Sequence, residues 1–319
     1  MEARKTRKKN NPYKPLDFNI TILGSNSAIP AHGRNQTSQL ISWDGESFLI
    51  DCGESTQLQL RRFKIKYSKI NHIFISHLHG DHYLGLMGLI NTYSLNNRKL
   101  PLHLYGPKGL DEIITIQLKY SASTLNFPLI FHPTVPQGKN KLVEIRDLTI
   151  YSFPLDHRIP CTGFSFEEKK QRVHLNKEMM AKFRPEVEEI HTLQAGKDVM
   201  DKTGNVLYKA DDFCEVSSPR KYSYCSDTVF NLDLIPHIKG SDFLYHESTF
   251  MEDEKKRAKV TKHSTAKEAA IIAKEAEVKQ LLLGHYSSRY SKLDLLLKEA
   301  KEIFDESTLS VEGCTYSIK

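Results

Sequence analysis

Apolar residues follow two different spacings along this chain, and the two spacings predict an alternation of β-strands and α-helices. Alternating or continuous apolar runs predict strands at residues 18–23, 38–43, 48–51, 73–76, 102–105, 127–132, 142–145, 148–153, 222–225, 243–246, 280–283 and 309–312. Apolar residues three and four positions apart predict helices at residues 56–64, 83–93, 108–120, 264–276 and 292–304. Because each half of the chain supplies strands and helices, we predict the α/β class, with two sheets face to face and helices outside.

Local signals predict two of the element boundaries. Asp44 and Gly45 separate two apolar runs, which is typical of a tight β-hairpin. Ser264 is the expected N-cap of the helix that follows it, although Glu268 lies one residue beyond the usual capping-box spacing. Both boundaries are thus predicted from short-range chemistry alone.

Residues 167–221 differ in character from the segments on either side. Residues 168–215 carry nine Lys or Arg and ten Asp or Glu, so the segment is polar and nearly neutral. Short helices are expected within it at residues 175–183 and 187–193. We predict an insertion that protrudes from the core. The chain then consists of a basic tail at residues 1–17 and one domain at residues 18–319 that carries the insertion.

The composition narrows the class of protein. With 39% hydrophobic and 26% charged residues, the chain suits a globular fold and excludes a disordered one. No run approaches the ~20 apolar residues of a membrane span, and residues 1–15 lack the apolar stretch of a secretory signal. Five cysteines without a CxxC pair indicate a reduced, cytoplasmic protein. We therefore expect no membrane partner.

The net charge of +6 is mildly basic and is compatible with a polyanionic partner. The tail at residues 1–17 holds much of this charge. Two interpretations of the tail stay open, a solvated terminus and a segment that contacts RNA phosphates.

The strongest chemical signal is the run Ser-His-Leu-His-Gly-Asp-His at residues 76–82. His77 and His79 alternate along an extended segment, so their imidazoles point the same way. Gly80 allows a tight turn, after which Asp81 and His82 can face a second metal ion close to the first. Imidazole and carboxylate groups are ligands that Zn²⁺ prefers. The spacing therefore predicts a zinc site just after a buried strand.

Two metal ions need more than four ligands, and three later residues at predicted strand ends are candidates. They are His157, Asp227 and His285. Each one taken alone is a weak signal, because a single histidine at a strand end is more often a hydrogen-bonded structural group. Their repeated occurrence beside Gly, Ser and Pro favours a common rim of loops.

The run at residues 76–82, followed by His157, Asp227 and His285 in that order, resembles the dinuclear site of the metallo-β-lactamase fold. More closely, the chain resembles the ribonuclease Z family of tRNA 3′-processing endoribonucleases. Five stretches carry this resemblance, at residues 23–35, 51–57, 75–86, 246–265 and 284–290. The resemblance implies the metallo-β-lactamase fold, an αββα sandwich with a protruding arm insertion.

The resemblance also implies a cofactor and roles for individual residues. Two Zn²⁺ per chain are expected, and the seven residues implied as their ligands are His77, His79 and His157 for one ion, Asp81, His82 and His285 for the other, and Asp227 as the bridge. Zinc lowers the pKa of bound water to about 7. Asp81 is expected to orient that water, His246 to protonate the leaving 3′ oxygen, and Arg289 to hold the scissile phosphate. The alternatives are a structural role for His246 and a surface ion pair for Arg289.

By the same resemblance, the chain is expected to be a zinc-dependent endoribonuclease that cleaves precursor tRNA at the 3′ end. Cleavage would leave a 3′-hydroxyl on the tRNA and a 5′-phosphate on the trailer. A homodimer is implied, in which the insertion is an exosite that grips tRNA. The insertion lacks the Gly-Pro tip usual in bacterial members and offers few cations near its tip, namely Lys182, Arg184 and Lys197.

Two other functions stay open from the sequence. One is a metal-dependent phosphodiesterase of the same fold that acts on small molecules, although such a substrate needs no arm. The other is a non-catalytic RNA-binding scaffold, although related scaffolds typically lose metal ligands and this chain retains all seven.

Overall fold

The computed structural model describes residues 17–319, so the predicted basic tail at residues 1–17 lies outside the described residues except for Asp17. The chain divides into two compact units. One unit is Lys169–Pro219, called the arm below. The other, called the body, consists of Asp17–Glu168 and Arg220–Lys319.

The strands of the described residues are β1 Phe18–Gly24, β2 Ser38–Trp43, β3 Glu46–Ile50, β4 Ile70–Phe74, β5 Leu102–Pro107, β6 Leu129–Thr134, β7 Asn140–Ile145, β8 Leu148–Leu155, β9 Cys161–Glu168, β10 Arg172–Leu175, β11 Val199–Met200, β12 Val206–Tyr208, β13 Cys214–Ser217, β14 Lys221–Cys225, β15 Phe243–Glu247, β16 Gln280–Gly284, β17 Ser307–Leu309 and β18 Thr315–Ser317. The α-helices are α1 Thr56–Arg62, α2 Gly80–Tyr83, α3 Leu86–Leu95, α4 Leu110–Tyr120, α5 Lys177–Phe183, α6 Val187–Gln194, α7 Ala210–Phe213, α8 Ile235–Ile238, α9 Lys255–Thr261, α10 Ala266–Glu275 and α11 Asp294–Lys301.

Two seven-stranded sheets form the body. The first sheet has the strand order β18-β1-β2-β3-β4-β5-β6, and the second has the order β17-β16-β15-β14-β9-β8-β7. Side chains of both sheets meet in one buried cluster that includes Phe48, Phe74, Phe164 and Tyr245. Helices α1, α3 and α4 cover the outer face of the first sheet, and α10 and α11 cover that of the second. The predicted αββα sandwich is confirmed.

The hairpin between β2 and β3 is confirmed and has a two-residue turn. Trp43 pairs with Glu46 across it, and the two turn residues have positive φ angles, 44° for Asp44 and 83° for Gly45. Two successive positive φ angles match the right-handed twist of the strands, which is why this dipeptide type favours a tight hairpin.

Two local predictions need correction, and strand β9 was missed. Thr265, and not Ser264, caps α10, and it forms a full capping box with Glu268 at the usual spacing. The strand predicted at residues 309–312 is misplaced, because β17 ends at Leu309 and the next strand, β18, begins at Thr315. Strand β9 is not predicted at all. Its Gly163 leaves room for the ring of Phe153, which an added Cβ would approach to 2.5 Å, so a small residue hides a central strand from a hydrophobicity pattern.

The arm has a small core of its own. Strands β10 and β13 form one antiparallel pair, and β11 and β12 form another. Leu193 and Phe213 are fully or almost fully buried among the arm's helices and strands. Asn176 accepts two backbone hydrogen bonds as the N-cap of α5.

The body closes tightly at the point where the chain leaves for the arm and returns. The Glu168 backbone N–H donates to the Arg220 carbonyl over 3.0 Å. The buried Glu168 carboxylate accepts hydrogen bonds from Trp43 Nε1 and from the Arg220 guanidinium. A charge-assisted network of this kind is strong because every buried polar group has a partner.

No helix within residues 17–319 has both the length and the apolar character required to cross a bilayer.

Candidate metal centre

Four strand ends bring the candidate ligands together. The segment after β4 in the first sheet carries the run at residues 76–82, with Gly80 starting α2. In the second sheet, His157 follows β8, Asp227 follows β14 and His285 follows β16. The two sheets therefore share one site, to which each contributes side chains at the carboxyl ends of its strands.

The first group of ligand atoms consists of three imidazoles and one carboxylate. His79 Nδ1 lies 3.0 Å from His77 Nε2 and 3.1 Å from His157 Nε2. Asp227 Oδ2 lies 3.6 Å from His77 Nε2 and 3.8 Å from His157 Nε2. Four ligand atoms that converge in this way suit a tetrahedral cation.

The second group consists of Asp81, His82 and His285. Asp81 Oδ2 lies 3.3 Å from His82 Nε2 and 3.4 Å from His285 Nε2. The other oxygen of Asp227, Oδ1, lies 3.0 Å from His285 Nε2 and 3.5 Å from His82 Nε2. Asp227 thus presents one oxygen to each group, which is the arrangement expected of a bridging ligand.

The ring nitrogens that face away from the ligand groups are held by other residues. His82 Nδ1 lies 2.8 Å from Asp51 Oδ2, and His157 Nδ1 lies 2.8 Å from the Lys262 carbonyl. His285 Nδ1 lies 2.9 Å from Thr249 Oγ1. Such outer hydrogen bonds fix the tautomer and the orientation of a ligating imidazole.

Asp51 is a site residue to which the sequence analysis gave no role. Its fully buried carboxylate accepts hydrogen bonds from the Ser76 backbone N–H, from Ser76 Oγ and from Tyr224 Oη, in addition to its contact with His82. Its φ angle is 53°, a left-handed value that is uncommon for residues other than glycine, although aspartate adopts it more readily than most. Asp51 therefore holds the His82 ring by Nδ1, the nitrogen opposite the one that faces the candidate ligand groups.

The chemistry of the residues fits a divalent cation. His82 Nε2 is buried without a hydrogen-bond partner among the described residues. Burial lowers the pKa of His77 well below its ordinary value, which keeps the imidazole neutral with a free lone pair. Burial acts in the same direction on His82, yet the carboxylates of Asp81, Asp227 and Asp51 raise its pKa well above the ordinary value. The site as a whole therefore favours positive charge.

His263 also lies at this site, and the sequence analysis gave it no role. Its Nδ1 lies 2.8 Å from Glu247 Oε1 and 3.9 Å from Asp227 Oδ2, and its ring stacks on His285 with centroids 5.4 Å apart. Burial acts to lower its pKa, but the Glu247 and Asp227 carboxylates raise it to about 9. The only sequence signal was the His-Ser-Thr run at residues 263–265.

The structure does not place His246 and Arg289 among the converging ligand atoms. His246 lies within β15 and is fully buried, with Nδ1 2.8 Å from the Glu247 carbonyl and Nε2 without a partner in the described residues. Arg289 lies four residues after His285, forms an ion pair with Glu254 and packs over the Phe250 ring at 5.4 Å.

Comparison with solved structures shows the fold class of the protein. The chain superimposes on a metallo-β-lactamase fold protein, YhfI from Bacillus subtilis, with a TM-score of 0.67 and 19% identity over 95% of this chain and all of that one. Fold and ligand groups together define a metallo-β-lactamase fold protein. The chain is also similar to the short form of human tRNase Z. The TM-score is 0.70 and the identity is 28%, over 94% of this chain and 99% of that chain.

Sequence comparison then gives the family. Ribonuclease Z of Cytophaga hutchinsonii is 47% identical over 307 residues, which is 95% of this chain and 97% of the relative. A family model described as Anti-Pycsar protein Apyc1 matches residues 18–194, a range that ends before Asp227 and His285. The chain belongs to the ribonuclease Z family.

Proposed function

We propose that this endoribonuclease cleaves precursor tRNA at the 3′ end, leaving a 3′-hydroxyl on the tRNA and a 5′-phosphate on the trailer. Sequence identity carries the proposal, and the geometry of the site agrees with it. The chain is 47% identical to a ribonuclease Z over 95% of its length, and the seven expected ligand side chains converge in two adjoining groups that share Asp227.

We assign the metal ligands as two sets with one shared member. In this assignment His77, His79 and His157 would hold one Zn²⁺, Asp81, His82 and His285 would hold the other, and Asp227 would contribute one oxygen to each set. Bound zinc supplies an acidified water and offsets negative charge at phosphorus. In this chain, Asp51 keeps the His82 Nδ1 proton on the far side of the ring, so that Nε2 faces the site.

The geometry favours His263 over His246 as the group that gives a proton to the leaving 3′ oxygen. His263 borders the Asp227 carboxylate and is partly open to solvent, whereas His246 is fully buried within a strand. Glu247 accepts from His263 Nδ1 and also from the Thr228 backbone N–H. Glu247 is therefore fixed in place and engages His263 through Nδ1, so that Nε2 is the nitrogen that would donate to the substrate.

Arg289 remains our candidate for the scissile phosphate. A planar guanidinium binds phosphate oxygens well, and about a third of this side chain is exposed. In the structure it pairs with Glu254, so substrate binding requires an exchange of the Glu254 carboxylate for the RNA phosphate. Partly exposed ion pairs are weak enough for such an exchange.

The direct test is a cleavage assay. Purified protein with measured zinc content is incubated with a precursor tRNA that has a 3′ trailer, and both products are mapped at single-nucleotide resolution. A single cut at the 3′ boundary with a 3′-hydroxyl and a 5′-phosphate supports the proposal. Cuts scattered through the tRNA, or none with two metals bound, would contradict it.

A small-molecule phosphodiesterase is the competing function, because the ligand groups lie wholly in the body and do not include an arm residue. Comparing kcat/KM on precursor tRNA with that on bis(p-nitrophenyl) phosphate, a small aryl diester, decides between them. An enzyme evolved for the diester would not prefer the RNA.

We further propose that the arm is the exosite for tRNA, that two chains associate as a homodimer, and that the enzyme works in the cytoplasm. Sedimentation equilibrium tests the dimer, and cell fractionation tests the location.

A further inference from the structure

Residues 55–110 are strongly basic within a body that is nearly neutral as a whole, with 30 Lys or Arg and 29 Asp or Glu. Residues 55–110 contain eight Lys or Arg and a single acidic residue, Asp81, which belongs to the metal site. The arm, by contrast, is neutral, with nine basic and nine acidic residues in 169–219. If RNA binds this protein by phosphate neutralisation, the arm alone supplies no net attraction.

Five of these cations follow one another at the end of α1 and beyond it, and we call them the basic strip. They are Arg61, Arg62, Lys64, Lys66 and Lys69, and all five are exposed. Within residues 17–319 none of them forms an ion pair with a carboxylate. Elsewhere in the body comparable side chains do pair, as Arg146 does with Asp44 and Lys262 with Asp156. The strip is therefore a set of exposed cations that, in the described part of the chain, are not engaged in ion pairs, with Glu312 as a carboxylate that lines a groove together with Arg62.

The strip adjoins the metal centre through a short series of contacts. Arg62 lines a groove of about 580 Å³ together with His32 and Arg34. The His32 ring lies 2.8 Å from the Ser288 carbonyl, and Arg34 donates to the Tyr290 carbonyl. Residues 286–290 directly follow the metal-ligand candidate His285, so one end of the strip lies beside the loop of the active site.

The other end of the strip meets two further cations. Lys66 lines a cavity of about 530 Å³ with Arg98 and Lys99. Arg98 is held by the carbonyls of Ile70, Leu100 and Pro101, whereas Lys99 is exposed. The positive surface thus extends from the active-site loop to the far end of α3.

The chemistry of the strip favours duplex over single-stranded RNA. Proteins that bind single strands add exposed aromatic rings on which bases stack. Both rings within the strip are half-buried: Arg62 packs over Phe63 at 5.7 Å, and Tyr67 packs against Tyr93 at 6.0 Å. Cations without stacking surfaces suit the phosphate backbone of an RNA helix, which is recognised by its shape and phosphates.

We propose that the basic strip binds the phosphate backbone of the double-stranded tRNA body and supplies the electrostatic part of substrate affinity that the neutral arm lacks. The proposal rests on the proposed function for the identity of the RNA. Beyond that function, it identifies the surface of the body that binds the RNA and the contacts, between cations and phosphates, through which it binds.

The test compares two variants that lose the same charge. In the strip variant Lys64, Lys66 and Lys69 are each replaced by Gln. In the control variant Lys274, Lys298 and Lys301, which are exposed on α10 and α11, are each replaced by Gln. The Kd for mature tRNA is measured between 50 and 300 mM salt, and cleavage is measured on precursors with a one-nucleotide and a long trailer.

The strip variant should bind mature tRNA at least about 10-fold more weakly at low salt. When log Kd is plotted against log salt concentration, the slope for the strip variant should be shallower by about two to three than that of the wild type. The loss should be equal for both trailers, and hydrolysis of bis(p-nitrophenyl) phosphate should be unchanged. Equal behaviour of the strip and control variants would overturn the proposal, and so would a loss confined to the long trailer, which would indicate a single-strand contact.

Failure of the proposed function is distinguishable from failure of this proposal. In the former case the wild-type protein does not cut precursor tRNA. In the latter it cuts, and the strip variant binds and cuts as well as the control.

Discussion

Asp227 presents its two carboxylate oxygens to two different sets of imidazole nitrogens. Oδ2 faces His77 and His157, and Oδ1 faces His82 and His285. The other ligands each face one set only. Substitution of Asp227 is therefore expected to affect both candidate ligand groups.

Replacing Asp227 with Ala should remove both zinc ions, whereas His157→Ala should remove chiefly one. Inductively coupled plasma mass spectrometry after desalting measures the metal content, which is expected to be about two per wild-type chain. Loss of only one zinc from the Asp227 variant would contradict the bridging assignment.

A second pair of substitutions separates the two histidine candidates for proton donation. His263→Gln should lower kcat on precursor tRNA by about 10² or more with zinc content unchanged, because a positioned general acid contributes 10²–10⁴-fold. His246→Gln alters a buried strand residue and should mainly lower the melting temperature. The opposite result would favour His246 as the proton donor, as predicted from the sequence. In that case the His246 variant would have a lower kcat with normal zinc content and normal stability, and the kcat of the His263 variant would be unchanged.

At the scale of elements, the neighbouring strands β4, β5 and β6 each contribute one histidine to a row that does not belong to the candidate metal centre. His72 on β4 stacks on His103 on β5, with ring centroids 4.9 Å apart, and His103 Nδ1 lies 3.0 Å from His132 Nε2 on β6. Burial, together with His103, His132 and Arg98, lowers the pKa of His72 to about 4. The folded state therefore holds His72 neutral at a pH where the unfolded chain protonates it.

This depressed pKa makes stability depend on pH in a defined window. Below about 6.5 the unfolded chain binds a proton that the folded chain does not, so stability falls as the pH drops from 6.5 to 4, by about 1–2 kcal/mol after allowance for partial exposure. His72→Gln should lose less stability than wild type over that range in urea melts at fixed zinc. Parallel pH profiles for the two proteins would contradict the prediction.

Elements with a strong local signature were predictable, and elements defined by their neighbours were not. The hairpin at Asp44 and Gly45 and the ligand run at residues 76–82 depend on residues close in sequence. Strand β9 was missed because Gly163 accommodates a ring from the adjacent strand. His263 was missed because its partner Glu247 lies sixteen residues away and meets it only after folding.

At the scale of the whole molecule, the division into body and arm allows activity on precursor tRNA and activity on a small phosphodiester to be tested separately, by deleting the arm. The network of Trp43, Glu168 and Arg220 belongs to the body, so a deletion must keep Glu168 and Arg220 and remove Lys169–Pro219. A short Gly/Ser linker suffices, because the two flanking residues already share a backbone hydrogen bond.

In this deletion variant, kcat/KM on precursor tRNA should fall by about 100-fold or more, since remote contacts position the scissile phosphate. Hydrolysis of bis(p-nitrophenyl) phosphate should stay within a few-fold, with zinc content as the control. Unchanged cleavage of precursor tRNA by the fully metallated variant would mean that the arm is not the exosite.

The hydrogen bond between Glu168 and Arg220 also has a consequence for how such proteins diversify. Where a chain leaves and re-enters a domain at adjacent residues, the inserted length adds little to the loop-closure entropy, which grows only slowly with length. We therefore expect the body to fold with insertions, deletions or whole replacements between these two residues. A different segment can stand between Glu168 and Arg220 without any change to the two candidate ligand groups, because all of their residues lie in the body.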